Sequence, residues 1–358
     1  MSDIVHLVRP QVLAMQPYLP PESEEGIRLN ANESAWRSDA DNSVRGLNRY
    51  PDPYPETISQ RLAGMYGVKA GQLALTRGSD EAIDLLLRLF CREGVDSIVI
   101  CPPTFGMYRI YAQVQGAAVI EVPLEPDQAF ALDPEKLLAA CEENTKLVFL
   151  CSPNNPTGQL LDEAAVFKVC RALRGRAVVV VDEAYVEFAD RASLVDSLDA
   201  WPNLVILRTL SKAYGLAGAR LGALISSLEI TGLFKRIIPP YALSTPALEA
   251  GEALLGPVEM QELEKRIQQT RQLRDAMARE LAGLSIVRKV WPSDANFLLI
   301  SVDDAAAVDA AFAQDGILIR NFSREPGLEN CLRITVGTPE QNEAVVAVLR
   351  EQGNGGAG

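Results

Sequence analysis

The sequence predicts an α/β fold: a large domain with a mainly parallel seven-stranded sheet, followed by a smaller α+β domain. Three observations carry this. Seven short apolar, β-branched runs recur through the first two thirds of the chain, and amphipathic stretches of helical period lie between several of them. Past about residue 245 the alternation stops, and a long charged helical region leads into a second group of strands. Apolar runs without polar alternation are strands covered on both faces. Their alternation with helices makes the sheet mainly parallel.

In chain order the strands are "QLALT" (72–76), "SIVIC" (97–101), "AAVIEV" (117–122), "KLVFLC" (146–151), "AVVVVD" (177–182), "LVILRT" (204–209) and "RLGALIS" (220–226). Helical stretches between them include "DEAIDLLLRLF" (80–90), "DPEKLLAACEE" (133–143) and "EAAVFKVCRALR" (163–174). After "PPYALSTP" a helical region spans about 246–282. "SIVRKV", "ANFLLIS", "GILIR" and "CLRITV" then supply strands for the second domain. The expected organisation is an N-terminal segment, 1–45, packed with the small domain; a large ligand-binding domain, 46–245; a small domain, 246–352; and a disordered tail, 353–358.

The 358 residues are 48% hydrophobic and 23% charged, an ordinary globular mixture. The net charge of −13 repels nucleic acid and anionic membrane surfaces, although local arginines can still hold small anions. No apolar run reaches the roughly 18 residues of a membrane helix, and the N-terminus shows no signal peptide. Six cysteines without CxxC spacing read as buried, reduced thiols, so a cytoplasmic protein without a metal site is expected.

In an open α/β sheet, ligands bind beyond the carboxyl ends of the strands. "LALT" runs into Gly78 and a helix opening at Ser79, where free N–H groups form an anion site. "VFLC" runs into "SPNNPTGQ", a Pro-stiffened loop with amide donors. "AVVVV" runs into "DEAY", which places an acid, Asp182, at a desolvated strand end. That pattern also resembles the magnesium-binding strand of helicase-like ATPases, but those need a G-x-x-x-x-G-K-[ST] loop and the chain contains no "GK". "LVIL" runs into "RTLSKAYGLAGAR", with Lys212 among small residues, where desolvation or a nearby cation can lower its pKa and make it a nucleophile. One ligand uses all these groups: pyridoxal phosphate. Lys212 forms its Schiff base, Asp182 keeps its ring nitrogen protonated, Asn and Tyr bond its ring oxygen, and Arg220, Ser79 and helix N–H groups hold its phosphate.

With "LNANES", "NRYP", "TRGSDEAID", "CPPTFGMY", "CSPNNPTGQ", "VDEAYVEF", "LRTLSKAYGLAGARLG" and "CLRITVGT" in this order, the chain resembles the fold-type I pyridoxal-phosphate aminotransferases, specifically their histidinol-phosphate branch. The resemblance implies that Lys212 carries the cofactor, Asp182 pairs with its ring nitrogen, and Asn155 and Tyr185 lie at its ring oxygen. Ser79, the Asp80 backbone, Thr209, Ser211 and Arg220 would form the phosphate cup, joined by Tyr50 from the partner subunit of a homodimer. Phe105, where relatives often have Tyr, would stack on the ring. Arg333 would bind a substrate carboxylate or phosphate, and Arg320 with Tyr18 would receive the substrate phosphate. The implied reaction moves an amino group from L-histidinol phosphate to the 2-oxo acid 2-oxoglutarate in histidine biosynthesis. An aromatic-amino-acid aminotransferase or a threonine-phosphate decarboxylase carries nearly the same motifs and differs in the substrate walls. A non-catalytic sensor would need a fused basic DNA-binding domain, which no segment here could form.

Overall fold

A computed structural model describes residues 4–16 and 27–355. Strands β1 (Leu73–Thr76), β2 (Ser97–Ile100), β3 (Ala118–Glu121), β4 (Thr145–Cys151), β5 (Val178–Asp182), β6 (Leu204–Thr209) and β7 (Gly222–Ser226) form one sheet in the order β1-β7-β6-β5-β4-β2-β3. β7 runs antiparallel to both its neighbours, and the pairs from β6 through β3 are parallel. Successive side chains of a strand point to opposite faces. On β4, Val148 and Leu150 therefore enter one core while Leu147, Phe149 and Cys151 enter the other. The four valines of β5 divide the same way, which is why these strands show no polar alternation.

Helices cover both faces. α1 (Pro10–Leu13), α3 (Gly78–Phe90), α4 (Met107–Gln115) and α7 (Leu228–Lys235) contribute to one core. α2 (Glu56–Met65), α5 (Pro134–Ala140), α6 (Glu163–Ala172) and α8 (Thr245–Leu254) contribute to the other. The long α9 (Pro257–Ala282) leads to a second, antiparallel sheet of β8 (Val287–Val290), β9 (Phe297–Val302), β10 (Arg320–Asn321) and β11 (Cys331–Thr335), in the order β10-β11-β9-β8. α10 (Ala305–Gln314) and α11 (Pro339–Gly355) pack on it around Phe312, Leu332 and Leu349.

Three expectations need correction. The N-terminal segment does not pack as one piece with the small domain. Ile4, Leu7, Val8 and Val12 are buried in the large-sheet core beside α3, and the Arg9 N–H donates to the Leu89 carbonyl at 3.0 Å. Their apolar spacing makes one short face, and the helix side of the sheet is the surface that covers it. Only further on does the chain reach α8, where the Arg45 N–H donates to Glu249 at 2.8 Å. The "GILIR" strand shrinks to Arg320–Asn321, because Gly316 turns the chain at a φ of +71° and Leu318 points into solvent at 91% exposure. Lastly, α11 continues through Gly355, into the tail expected to be disordered.

Candidate active site

The carboxyl ends of β4, β5 and β6 open into a cavity of about 520 Å³ whose far wall comes from the small sheet. Asp182 ends β5 on the cavity floor at 3% exposure. Its carboxylate accepts the Tyr108 phenol at 2.8 Å and the Ala184 N–H at 3.2 Å, and it has no ion-pair partner among the described residues. Burial pushes its carboxyl up to about 6, even though both hydrogen bonds pull it down. Tyr108 is fully buried on α4, stacked on Phe149 at 4.9 Å and edge-on to Phe105 at 5.5 Å. The two aromatics stand one helical turn apart, so Phe105 can line the cavity while Tyr108 reaches beneath it to Asp182.

Lys212 lies on the turn after β6 and lines the cavity with its ammonium 5.5 Å from the Tyr185 ring centre. The side chain is exposed toward this space, yet the protein around it removes enough bulk solvent to lower its pKa from 10.5. Burial is the main cause, the charge of Arg333 adds to it, and Asp80 and Asp182 oppose it. Tyr185 is buried edge-on against Phe297 at 5.2 Å, and its phenol accepts from the Asn155 amide at 3.5 Å. The Asn155 oxygen in turn accepts from Arg333, whose guanidinium lies between the Phe297 and Phe322 rings, about equally far from each at 5.2 and 5.3 Å. Arg333 and Arg320 are direct cross-strand partners on β11 and β10. Neither has a carboxylate in ion-pair range among the described residues, while burial and the like charge of Arg320 lower the pKa of Arg333.

An anion cup closes the opposite end. Ser79 and Asp80 begin α3, and Arg220 reaches them from the turn before β7. Arg220 donates to Asp80 at 2.9 Å and to the Ser211 hydroxyl at 3.3 Å, and the Thr209 hydroxyl donates to Ser211 at 2.9 Å. Gly78 holds a φ of +72°, and a Cβ there would sit 2.8 Å from an Arg220 nitrogen. A Cβ on Gly222 would come within 2.5 Å of the Gly78 backbone. These two glycines let strand, turn and helix end approach closely enough to make the cup.

Every sequence-predicted site residue lines the cavity except two. Tyr50 stands outside it, half exposed and stacked on Tyr241 at 4.7 Å. Tyr18 lies outside the described residues. Asp80, expected to act through its backbone, has its side chain engaged with Arg220. Sequence reasoning also missed two residues of the site and one buried cation near it in sequence. Tyr108 was findable as the aromatic one turn after Phe105. Glu325 joins the cavity from the loop after β10 with no sequence signal. Arg208, on β6 and outside the cavity lining, is a buried cation paired with Glu187 at 2.7 Å and Glu183 at 3.6 Å. Among the described residues, no group of His, Cys, Asp and Glu could hold a metal, and no helix is long and apolar enough to cross a membrane.

The model for aminotransferase class I and II matches residues 27–349. A histidinol-phosphate aminotransferase of Xylella fastidiosa is 45% identical over 90% of this chain and 89% of its own. One from Xanthomonas euvesicatoria is 42% identical over 98% and 97%. The solved histidinol-phosphate aminotransferase of Sinorhizobium meliloti, in complex with pyridoxal-5'-phosphate, superposes with a TM-score of 0.78 at 29% identity, covering 87% of this chain and 84% of that one. The chain belongs to the class I and II aminotransferases, in their histidinol-phosphate aminotransferase family.

Proposed function

We propose that this aminotransferase uses pyridoxal 5'-phosphate to move an amino group from L-histidinol phosphate to 2-oxoglutarate, giving imidazole acetol phosphate and glutamate. The observation that carries the substrate reading is the pair Arg320 and Arg333, side by side in the cavity wall without a carboxylate partner among the described residues. Two adjacent guanidiniums need anionic ligands. A phosphorylated donor and a dicarboxylate acceptor supply them in turn. The activity named for the relatives at 45% and 42% identity supports the same choice.

The cavity fits the cofactor on three counts. Asp182 is a buried carboxylate without an ion-pair partner among the described residues, which suits a protonated ring nitrogen. The glycine-floored cup of Ser79, Thr209, Ser211 and Arg220 suits a phosphate. Lys212, with its lowered pKa, has the amine that would hold the cofactor covalently. Bound there, the cofactor supplies a sink for the electron pair left when the substrate Cα–H bond breaks. The remaining work belongs to the chain. Arg333 and Arg320 orient the substrate anion, and Asn155 is held against Tyr185 by Arg333. Displaced from the cofactor by the substrate amine, Lys212 Nζ would take the proton from the substrate carbon and return it, as general base and acid. Tyr108 holds the Asp182 carboxylate in place, and Phe105 walls the cavity beside it.

We place the active unit as a homodimer in which Tyr50 serves the neighbouring site. Its half-exposed ring outside its own cavity supports this, as do exposed Leu29, Trp36, Val44 and Leu47 in the same segment. All six cysteines are free, which suits a reducing, cytoplasmic location. Steady-state rates with histidinol phosphate, phenylalanine and threonine phosphate test the substrate. A preference for either of the other two would overturn it.

A further inference from the structure

Three carboxylates line the cavity: Asp80, Asp182 and Glu325. Two are engaged. Asp80 pairs with Arg220 at 2.9 Å, and Asp182 accepts from Tyr108 and Ala184 on the floor. Glu325 makes no side-chain hydrogen bond or ion pair with any described residue, although its charge reaches Arg109 on α4. Arg109 itself is in contact with Glu121 at the edge of the sheet. Glu325 follows Phe322 on the loop after β10, so it stands on the same wall as Arg320, and Met107 and Ile110 of α4 also line the cavity. Glu325 is exposed, so this end of the site combines apolar walls with a hydrated carboxylate that no described side chain engages.

We propose that Glu325 is a specificity-determining residue that accepts a hydrogen bond from the imidazole ring of the substrate. The inference rests on the histidinol-phosphate reading and deepens it. The substrate carries an anion, an amine and a ring. Arg320 and Arg333 match the anion, Lys212 stands by the amine, and only the ring is still without a partner. An imidazole ring always carries at least one N–H donor, and two when protonated, whereas a carboxylate only accepts. A phenyl side chain has no N–H to offer, so in its complex Glu325 would lose water without gaining a partner. The same carboxylate therefore favours the imidazole substrate and penalises an aromatic amino acid.

The experiment compares wild type, Glu325→Leu and Glu325→Gln with two probes. One is histidinol phosphate as substrate; the other is a 2-aminoalkyl phosphate lacking the ring, as competitive inhibitor. Glu325→Leu should lower kcat/KM for histidinol phosphate about tenfold or more. The inhibition constant of the ring-free phosphate should stay within about twofold, because its partners are the arginines. Glu325→Gln keeps an acceptor oxygen and should recover part of the loss. Unchanged kcat/KM in Glu325→Leu overturns the assignment, and so does an equal loss for both probes. The parent reading fails separately: wild type that does not turn over histidinol phosphate refutes it whatever the variants do.

Discussion

The Tyr108 phenol lies 2.8 Å from Asp182 Oδ2, and it joins a helix on one side of the sheet to the end of the central strand β5. This bond matters because Asp182 has almost no solvent and no ion-pair partner among the described residues, and the Lys212 charge helps it less than the Tyr108 hydrogen bond does. Replacing the acid with Asn should leave the fold intact and cut the transamination rate about 10²- to 10³-fold, the usual cost of losing one electrostatic partner of a developing charge. Tyr108→Phe should cost less, roughly 10- to 150-fold. Single-turnover rates check both. A Tyr108→Phe enzyme at wild-type speed would show that the phenol only fills space.

The same carboxylate makes stability depend on pH. Its pKa is raised from 3.8 to about 6, so the cofactor-free fold binds this proton more tightly than the unfolded chain does. That contribution is complete below about pH 4 and is lost as pH rises through about 6, worth about 3 kcal/mol at most. Cofactor-free Asp182→Asn has no such proton to lose. Its denaturation midpoint should match wild type near pH 4 and exceed it at pH 7. A difference that is flat with pH would rule the mechanism out.

Lys212 should be the lysine that carries the cofactor. Borohydride treatment of the yellow enzyme is expected to fix the adduct on the peptide containing Lys212, and Lys212→Ala should abolish transamination. Its lowered pKa has burial as the first cause and Arg333 as the second. Arg333→Met should therefore shift the pH midpoint for labelling Lys212 in cofactor-free protein upward. A downward shift would contradict the electrostatics.

Arg333 should be used by both substrates. Arg333→Lys keeps the charge but loses the planar two-pronged donor, so both half-reactions should slow while the cofactor stays bound. Single-turnover measurement of each half-reaction tests this. Two unimpaired half-reactions would remove Arg333 from substrate binding.

Gly78 should be as necessary to the phosphate cup as its charged residues. Gly78→Ala puts a side chain at a φ of +72° and 2.8 Å from Arg220, so the guanidinium must move. Strain of this kind costs of order 1–3 kcal/mol, and cofactor retention in dialysis should fall about 5- to 150-fold. Retention equal to wild type would mean that Arg220 is not part of the cup.

Tyr50 should act on the neighbouring subunit. Inactive Lys212→Ala and severely impaired Tyr50→Ala proteins should regain activity when refolded together, since one site of each hybrid then draws both intact residues from different chains. Mixing that restores nothing would place Tyr50 in its own subunit's service.

Much of this site is legible in the sequence because each residue follows directly from a strand end. A continuous apolar run declares a strand buried on both faces, and in a parallel sheet the residues after its carboxyl end face the ligand. Asp182, Lys212 and Asn155 are each found by that rule alone, and Gly78 marks where backbone must approach backbone. The sequence by itself could not say what pairs with what. Tyr108 meets Asp182 only because α4 packs across the sheet from β5, 74 residues away. Arg320 and Arg333 become neighbours through the register of β10 on β11, and Glu325 reaches the cavity because the small sheet forms its far wall. The N-terminal segment was misplaced for the same reason, since its short apolar face shows that it must be covered but not by which domain. Local propensity and periodicity are written along the chain. Which surfaces meet, and hence which charges lose their solvent, is decided by tertiary packing, where contacts far apart in sequence set the energies.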